Sequence, residues 1–275
     1  MSASTGATNR VEAIFAEARA SGRKLLMPFV CAGSPSLESS MAAIEAVERG
    51  GGSIVEVGIP FSDPIADGPV IAAAMHDALE RGVTPEAIFD AVAERRSRVA
   101  LGLVAMVSVS IVHRMGIERF VSRAAAAGFD GFIFPDAPLE EAAELGAAAT
   151  GAGLTSTLLV APGTSPDRAA HIAEACSGFI YVLTRGGITG EQAGGPSAHL
   201  AERIAALRAV TDLPLAAGFG ISSPEQVREA VVSADAAIVG SALVRRLSEA
   251  DEHPGEVARV AEAFTGELAA GLGQT

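Results

Sequence analysis

Eight short runs rich in Val, Ile, Leu and Ala alternate with longer segments whose apolar residues recur at helical spacing. No other feature restricts the fold as strongly. The runs cover 24–32, a stretch beginning at Ser53, then 100–109, 129–134, 154–160, 179–183, 214–217 and 236–239. Continuous apolar runs of this length read as parallel strands buried on both faces. Helices are predicted over 11–20, 36–49, 69–81, from Thr84-Pro85, over 117–127, 139–150, 167–176, up to 209, over 224–232 and over 256–272. Thr84 supplies a cap and Pro85 the first helical residue. Strands alternating with helices imply a parallel sheet, and eight repeats imply closure. The expected fold is α/β, a (β/α)8 TIM barrel with an extra N-terminal helix and extra short helices after strands two and eight. One domain over 1–275 is expected, since no linker or compositional break interrupts the alternation. A doubly wound open sheet is the competing architecture.

The second run is unusual because it carries a carboxylate. Glu56 sits among Ile54, Val55 and Val57, where burial is costly unless the group is paired or used. In a barrel Glu56 points toward the mouth, and the loop after it, bearing Asp63 and Asp67, lies on the catalytic face. Glu56 and Asp67 are therefore a candidate acid/base pair, with burial expected to raise the pKa of Glu56. A structural carboxylate is the competing role for Glu56, and turn formation for Asp63, Asp67 and Asp136. Late in the chain, Gly186-Gly187-Ile188-Thr189-Gly190, Gly218-Phe219-Gly220 and Gly240-Ser241 follow strands six, seven and eight. Each glycine could simply turn the chain. Their placement after strands seven and eight, with a short helix starting near Ser241, matches the usual phosphate cradle of barrels.

Composition narrows the partners. A formal net charge of −13 opposes nucleic acid and anionic membranes, yet leaves room for one small anion held by backbone N–H groups. Residues 1–10 lack the apolar centre of a signal peptide, and the apolar runs near 25–32 and 99–107 are too short to span a bilayer. A cytoplasmic protein is expected. Cys31 and Cys176 show no metal or redox spacing and read as free thiols. His76, His113, His171, His199 and His253 also lack metal spacing and read as surface or packing residues.

The stretch Glu56-Val57-Gly58-Ile59-Pro60-Phe61-Ser62-Asp63-Pro64-Ile65-Ala66-Asp67-Gly68-Pro69 resembles the signature of the tryptophan synthase α subunit family. Pro28-Phe29-Val30, Pro135-Asp136-Ala137-Pro138, Gly187-Ile188-Thr189-Gly190, Gly218-Phe219-Gly220-Ile221-Ser222 and Gly240-Ser241-Ala242 extend the likeness from about Arg23 to Leu247. The resemblance implies a barrel lyase that cleaves indole-3-glycerol phosphate to indole and glyceraldehyde 3-phosphate without a cofactor or metal. It implies Glu56 as the acid/base and Asp67 as the partner of the indole N–H. Phe29, Tyr181 and Phe219 would line the substrate pocket, and Thr189 would help position Asp67. Gly190, Gly220, Gly240 and Ser241 would bind phosphate. Pro60, Asp63, Pro64 and Pro138 match loops that face a pyridoxal-phosphate-dependent β subunit in an α2β2 tetramer.

Two segments depart from the family pattern. Cys31-Ala32-Gly33-Ser34-Pro35 replaces a Thr-x-Gly-Asp-Pro run, and Met106-Val107-Ser108-Val109-Ser110-Ile111 replaces a Tyr-Tyr-Asn-Pro-like run. Ser108 and Ser110 thus stand where an aromatic and an amide are expected, at the pocket edge and beside the β subunit. The departures keep two alternatives open: a stand-alone lyase of specialised metabolism, and a non-catalytic phosphate-binding regulator.

Overall fold

The computed structural model describes residues 9–64, 67–184, 200–218 and 220–273. Within them run nine strands: β1 (Leu25–Cys31), β2 (Ile54–Gly58), β3 (Gly102–Met106), β4 (Gly131–Ile133), β5 (Thr155–Thr157), β6 (Leu159–Val160), β7 (Ile180–Leu183), β8 (Leu215–Gly218) and β9 (Ala236–Val239). Every strand pair is parallel, in the order β5-β4-β3-β2-β1-β9-β8-β7-β6. The two ends of that order, β5 and β6, are halves of one extended run interrupted only at Leu158. Phe134 N–H reaches Thr157 O at 3.1 Å, and Tyr181 N–H reaches Leu158 O at 3.2 Å. The run gives its first half to β4 and its second half to β7, which closes the sheet into a barrel. The open-sheet alternative fails on this join. The single fifth strand expected over 154–160 is split for the same reason.

The helices are α1 (Arg10–Ala20), α2 (Leu37–Arg49), α3 (Pro69–Glu80), α4 (Pro85–Arg95), α5 (Val109–Met115) and α6 (Ile117–Ala127). They continue with α7 (Leu139–Gly151), α8 (Pro166–Ala175), α9 (Leu200–Arg208), α10 (Pro224–Val231), α11 (Ser241–Glu249) and α12 (Pro254–Ala269). Ser36, Thr84, Ser165 and Ser223 cap α2, α4, α8 and α10 through their side-chain oxygens. The sequence missed α5. A strand reaching 109 was expected from the β-branched residues Val107, Val109 and Ile111, but β3 ends at Met106. Ser108 then caps α5, its Oγ accepting the Ser110 N–H at 3.2 Å. Local capping overrides strand propensity there.

Alternation along the strands builds two cores. Leu26, Val30, Val55, Val57, Leu103 and Ala105 face outward against the helices. Leu25, Met27, Phe29, Ile54, Val104 and Met106 face the barrel interior. The interior is packed rather than open, and α1 plugs its N-terminal end. Val11 and Phe15 of α1 enter that inner core, with the Phe15 and Phe179 rings 5.7 Å apart. Glu56 falls in the inward register, paired across the sheet with Phe29 and Val104. The fold therefore aims this carboxylate into the barrel.

Candidate active site

Glu56 is 0% exposed, and neither of its carboxylate oxygens has a hydrogen-bond partner among the described residues. A buried polar group left this way is rare and calls for an explanation. It lines a cleft of about 390 Å³ at the C-terminal ends of the strands, together with Phe29, Asp67, Met106, Tyr181, Gly220, Gly240 and Ser241. Ile71 and Ile238 complete the wall. The cleft thus gathers Glu56, Asp67, Phe29, Tyr181, Gly220, Gly240 and Ser241, residues scattered along the sequence. Thr189, Gly190 and Phe219 lie outside the described residues.

Two rings are seated by neighbouring glycines. A Cβ on Gly58 would collide with the Phe29 ring, and one on Gly218 with the Tyr181 hydroxyl. Each ring leans across the adjacent strand into space that only a residue without a side chain leaves free. This fixes Phe29 and Tyr181 in the wall of the cleft.

The electrostatics separate the two carboxylates. Burial, and then the Asp67 charge, hold Glu56 well above the usual carboxylate range. Burial, and then Asp136, push Asp67 up to about 6. Burial thus favours the protonated form of Glu56, while Asp67 is mostly ionised at neutral pH. Two titratable groups with different protonation in one cleft form an acid and a base. Burial, followed by Glu56 and Asp67, also keeps the Tyr181 hydroxyl protonated. Burial and Asp67 push the Cys31 thiol up as well, so that thiol is unreactive.

The opposite end of the cleft suits an anion. Gly240 is the N-cap of α11 and offers no side-chain oxygen to the helix. Its carbonyl accepts the N–H groups of Leu243 and Val244 at 3.0 and 3.1 Å. The N–H groups of Ser241 and Ala242 precede the first helical bond and have no partner in the helix. Such an N-terminus, with the helix dipole behind it, binds phosphate or carboxylate. Gly220 adopts a φ of 76°, a backbone that side chains disfavour, and shapes the wall beside it.

A second cleft of about 360 Å³ opens beside the first and shares Asp67 and Met106 with it. Phe61, Asp63, Pro64, Ser108 and Asp136 line it. Asp63 is exposed, Pro64 and Pro138 are half-buried, and Pro60 is buried.

The tryptophan synthase alpha chain family model matches residues 15–272. The chain belongs to the tryptophan synthase alpha chain family. A tryptophan synthase alpha chain of Chloroflexus aggregans is 46% identical over 240 residues, spanning 87% of this chain and 90% of that one. Another, of Prochlorococcus marinus, is 42% identical over 259 residues and covers 92% of each. Among solved structures, a tryptophan synthase of Mycobacterium tuberculosis superposes with a TM-score of 0.88 at 36% identity, covering 98% of this chain and all of that one. As a member of the tryptophan synthase alpha chain family, the chain has a lyase's place in tryptophan biosynthesis. No helix among the described residues is long and apolar enough to cross a membrane.

Within that family framework, sequence reasoning missed Ile71, Met106, Ile238 and Gly58. Met106 ends β3 and Ile238 is the last inward-facing residue of β9, so the rule that strand ends face the site would have found them. Ile71 belongs to α3, and only packing brings it over the cleft. Asp136, expected to serve a turn or a helix start, accepts hydrogen bonds from the connection between β3 and α5.

Proposed function

We propose that the chain cleaves indole-3-glycerol phosphate to indole and glyceraldehyde 3-phosphate, as one cytoplasmic barrel domain partnered by a pyridoxal-phosphate-dependent β subunit. One observation carries this reading: a fully buried Glu56, unpartnered among the described residues, shares a cleft with Asp67 and with the uncapped N-terminus of α11. Protonated Glu56 donates to indole C3. The ring nitrogen then carries positive charge, which anionic Asp67 stabilises through the indole N–H. Glu56, now a carboxylate, takes the proton of the glycerol hydroxyl as the carbon–carbon bond breaks and the aldehyde forms. Glu56 ends the cycle as it began, and no external acid or base is consumed.

Phe29 and Tyr181 would hold the indole between them, and Gly220, Gly240 and Ser241 the phosphate, with Thr189, Gly190 and Phe219 completing the site. Asp63, Pro64 and Pro138 would meet the β subunit, with buried Pro60 at the base of the loop after β2. Ser108 favours one alternative, a stand-alone lyase, because its hydroxyl is spent on Asp136 rather than offered to a partner. The deciding measurement is indole release from indole-3-glycerol phosphate by the purified chain, with and without a β subunit. Release that rises on adding the β subunit supports the paired enzyme, and full release alone supports the stand-alone one. Absence of release in both cases overturns the lyase reading.

A further inference from the structure

Asp136 stands on the loop after β4 with both carboxylate oxygens committed. Oδ2 accepts the Ser108 hydroxyl at 2.6 Å, and Oδ1 accepts the Val109 N–H at 3.0 Å. Ser108 Oγ in turn accepts the Ser110 N–H at 3.2 Å, so the start of α5 and the β4 loop are locked together. This lock pins Asp136 in the wall of the second cleft, the same cleft that Asp67 lines from the other side. Among the described residues no Lys or Arg lines either cleft, so no cation there screens the two carboxylates from each other.

We propose that Asp136 is a positioning residue for the lyase reaction: tethered by Ser108, it holds a fixed negative charge across the second cleft from Asp67. The proposal rests on the lyase reading given above. A like charge nearby disfavours ionisation, so Asp136 keeps Asp67 a stronger proton and hydrogen-bond acceptor than an isolated aspartate. The same two charges also lower the energy of a cationic indole ring drawn up between them and Glu56. Asp67 is faced from β2 by Glu56, from the end of β1 by Cys31, from β7 by Tyr181 and from its own loop by Asp63. Of these, Glu56, Cys31 and Tyr181 are held neutral, which leaves Asp136 as the fixed charge that acts on Asp67 from another loop. The proposal also gives the Ser108 departure a use. A serine there is short enough to turn inward and cap both α5 and Asp136, whereas an aromatic side chain has no means of doing so.

The test is a carbon-13 titration of aspartate carboxyls in the full chain, with the Asp67 signal assigned by its loss in Asp67→Asn. Asp136→Asn removes the charge and keeps an acceptor for Val109. It should lower the Asp67 midpoint by about half to one pH unit, while Asp136→Glu restores it. The acid limb of kcat/KM for indole release should move down by the same amount. A merely structural Asp136 would lower activity at every pH and leave the limb in place. Should Asp136→Asn fail to fold, Ser108→Ala keeps the charge but loosens its tether, and a smaller downward movement is expected. An Asp67 midpoint that stays put in the folded variants overturns the proposal, even with indole release intact. Absent indole release with a shifted midpoint would instead sink the lyase reading.

Discussion

At the N-terminal rim of the barrel, Asp130 and Asp235 stand immediately before β4 and β9, and each is met by arginine and backbone. Asp235 accepts the Leu215 N–H at 2.7 Å and pairs with Arg208 and Arg19. Asp130 accepts the Leu103 N–H at 2.8 Å and pairs with Arg96 at 2.9 Å. At the C-terminal rim, Glu56 has no hydrogen-bond partner among the described residues, and Asp67 faces other acids across a cleft. Burial opposes ionisation at both rims. At Asp235 the Leu215 N–H and Arg208 overcome it and hold the carboxyl below 3.8, whereas at Glu56 nothing does. The lower rim spends its carboxylates on closing neighbouring strands, and the upper rim keeps two available for chemistry. That division matches the general separation of stability and catalysis between the two faces of such barrels.

Five substitutions can break or sharpen this contrast. The largest effect is expected from Glu56→Gln, which keeps shape but removes proton transfer. Indole release should fall by about 10²–10⁴-fold, while thermal unfolding should show a melting temperature no lower than that of the parent. A large stability loss would mean that Glu56 belongs with the lower-rim carboxylates.

Asp235→Ala should behave in the opposite way. It strands Arg208 and Arg19 beside a buried strand end and should cost about 3 kcal/mol or more in denaturant melts, with kcat/KM of the folded fraction retained. Because the folded-state pKa of Asp235 is depressed, its contribution exists above the ordinary value of 3.8 and is lost as pH falls through the folded value. The penalty of the substitution should therefore shrink in acid.

A glycine from each rim gives the next comparison. A Cβ on Gly131 would strike Thr155, and one on Gly218 would strike the Tyr181 hydroxyl. Alanine at either position should cost about 1–3 kcal/mol of overpacking. For Gly131 the loss should appear in the unfolding midpoint, and for Gly218 in KM for the indole substrate. Equal effects on both readouts would erase the distinction between the rims.

The smallest effect is expected from Asp67→Asn on stability. Its folded pKa, about 6, lies above the ordinary 3.8, so the folded chain favours the protonated form. The cost of ionising it is absent below about pH 4 and fully present above about pH 6. The substitution should thus raise stability at pH 7.5 and leave it unchanged at pH 3.5. Calorimetry at the two pH values decides, and destabilisation at pH 7.5 would place Asp67 among the structural acids.

Much of this arrangement was legible in the chain. The apolar runs announced the strands, and Thr84 marked a helix start that capping geometry bears out. Glu56 stood out because a charged residue inside an apolar strand conflicts with local preference, and such conflicts gather at functional sites. Other features were hidden. Ser108 looked like part of a strand, and its role emerged only when the β4 loop brought Asp136 to within 2.6 Å. Gly58 carried no signal of its own, and its role appears only in the Phe29 ring lying across it.

The sequence by itself determined the barrel and the residue types available at its mouth. Periodicity and capping act between near neighbours, so their signals survive in one dimension. Tertiary structure alone decided where β5 and β6 close the sheet and which rings rest on which glycines. It also decided that, among the described residues, Glu56 is left unpaired while Asp235 is not. Those outcomes depend on contacts between residues far apart in the chain, and on the dielectric that packing creates around them, which no local pattern encodes.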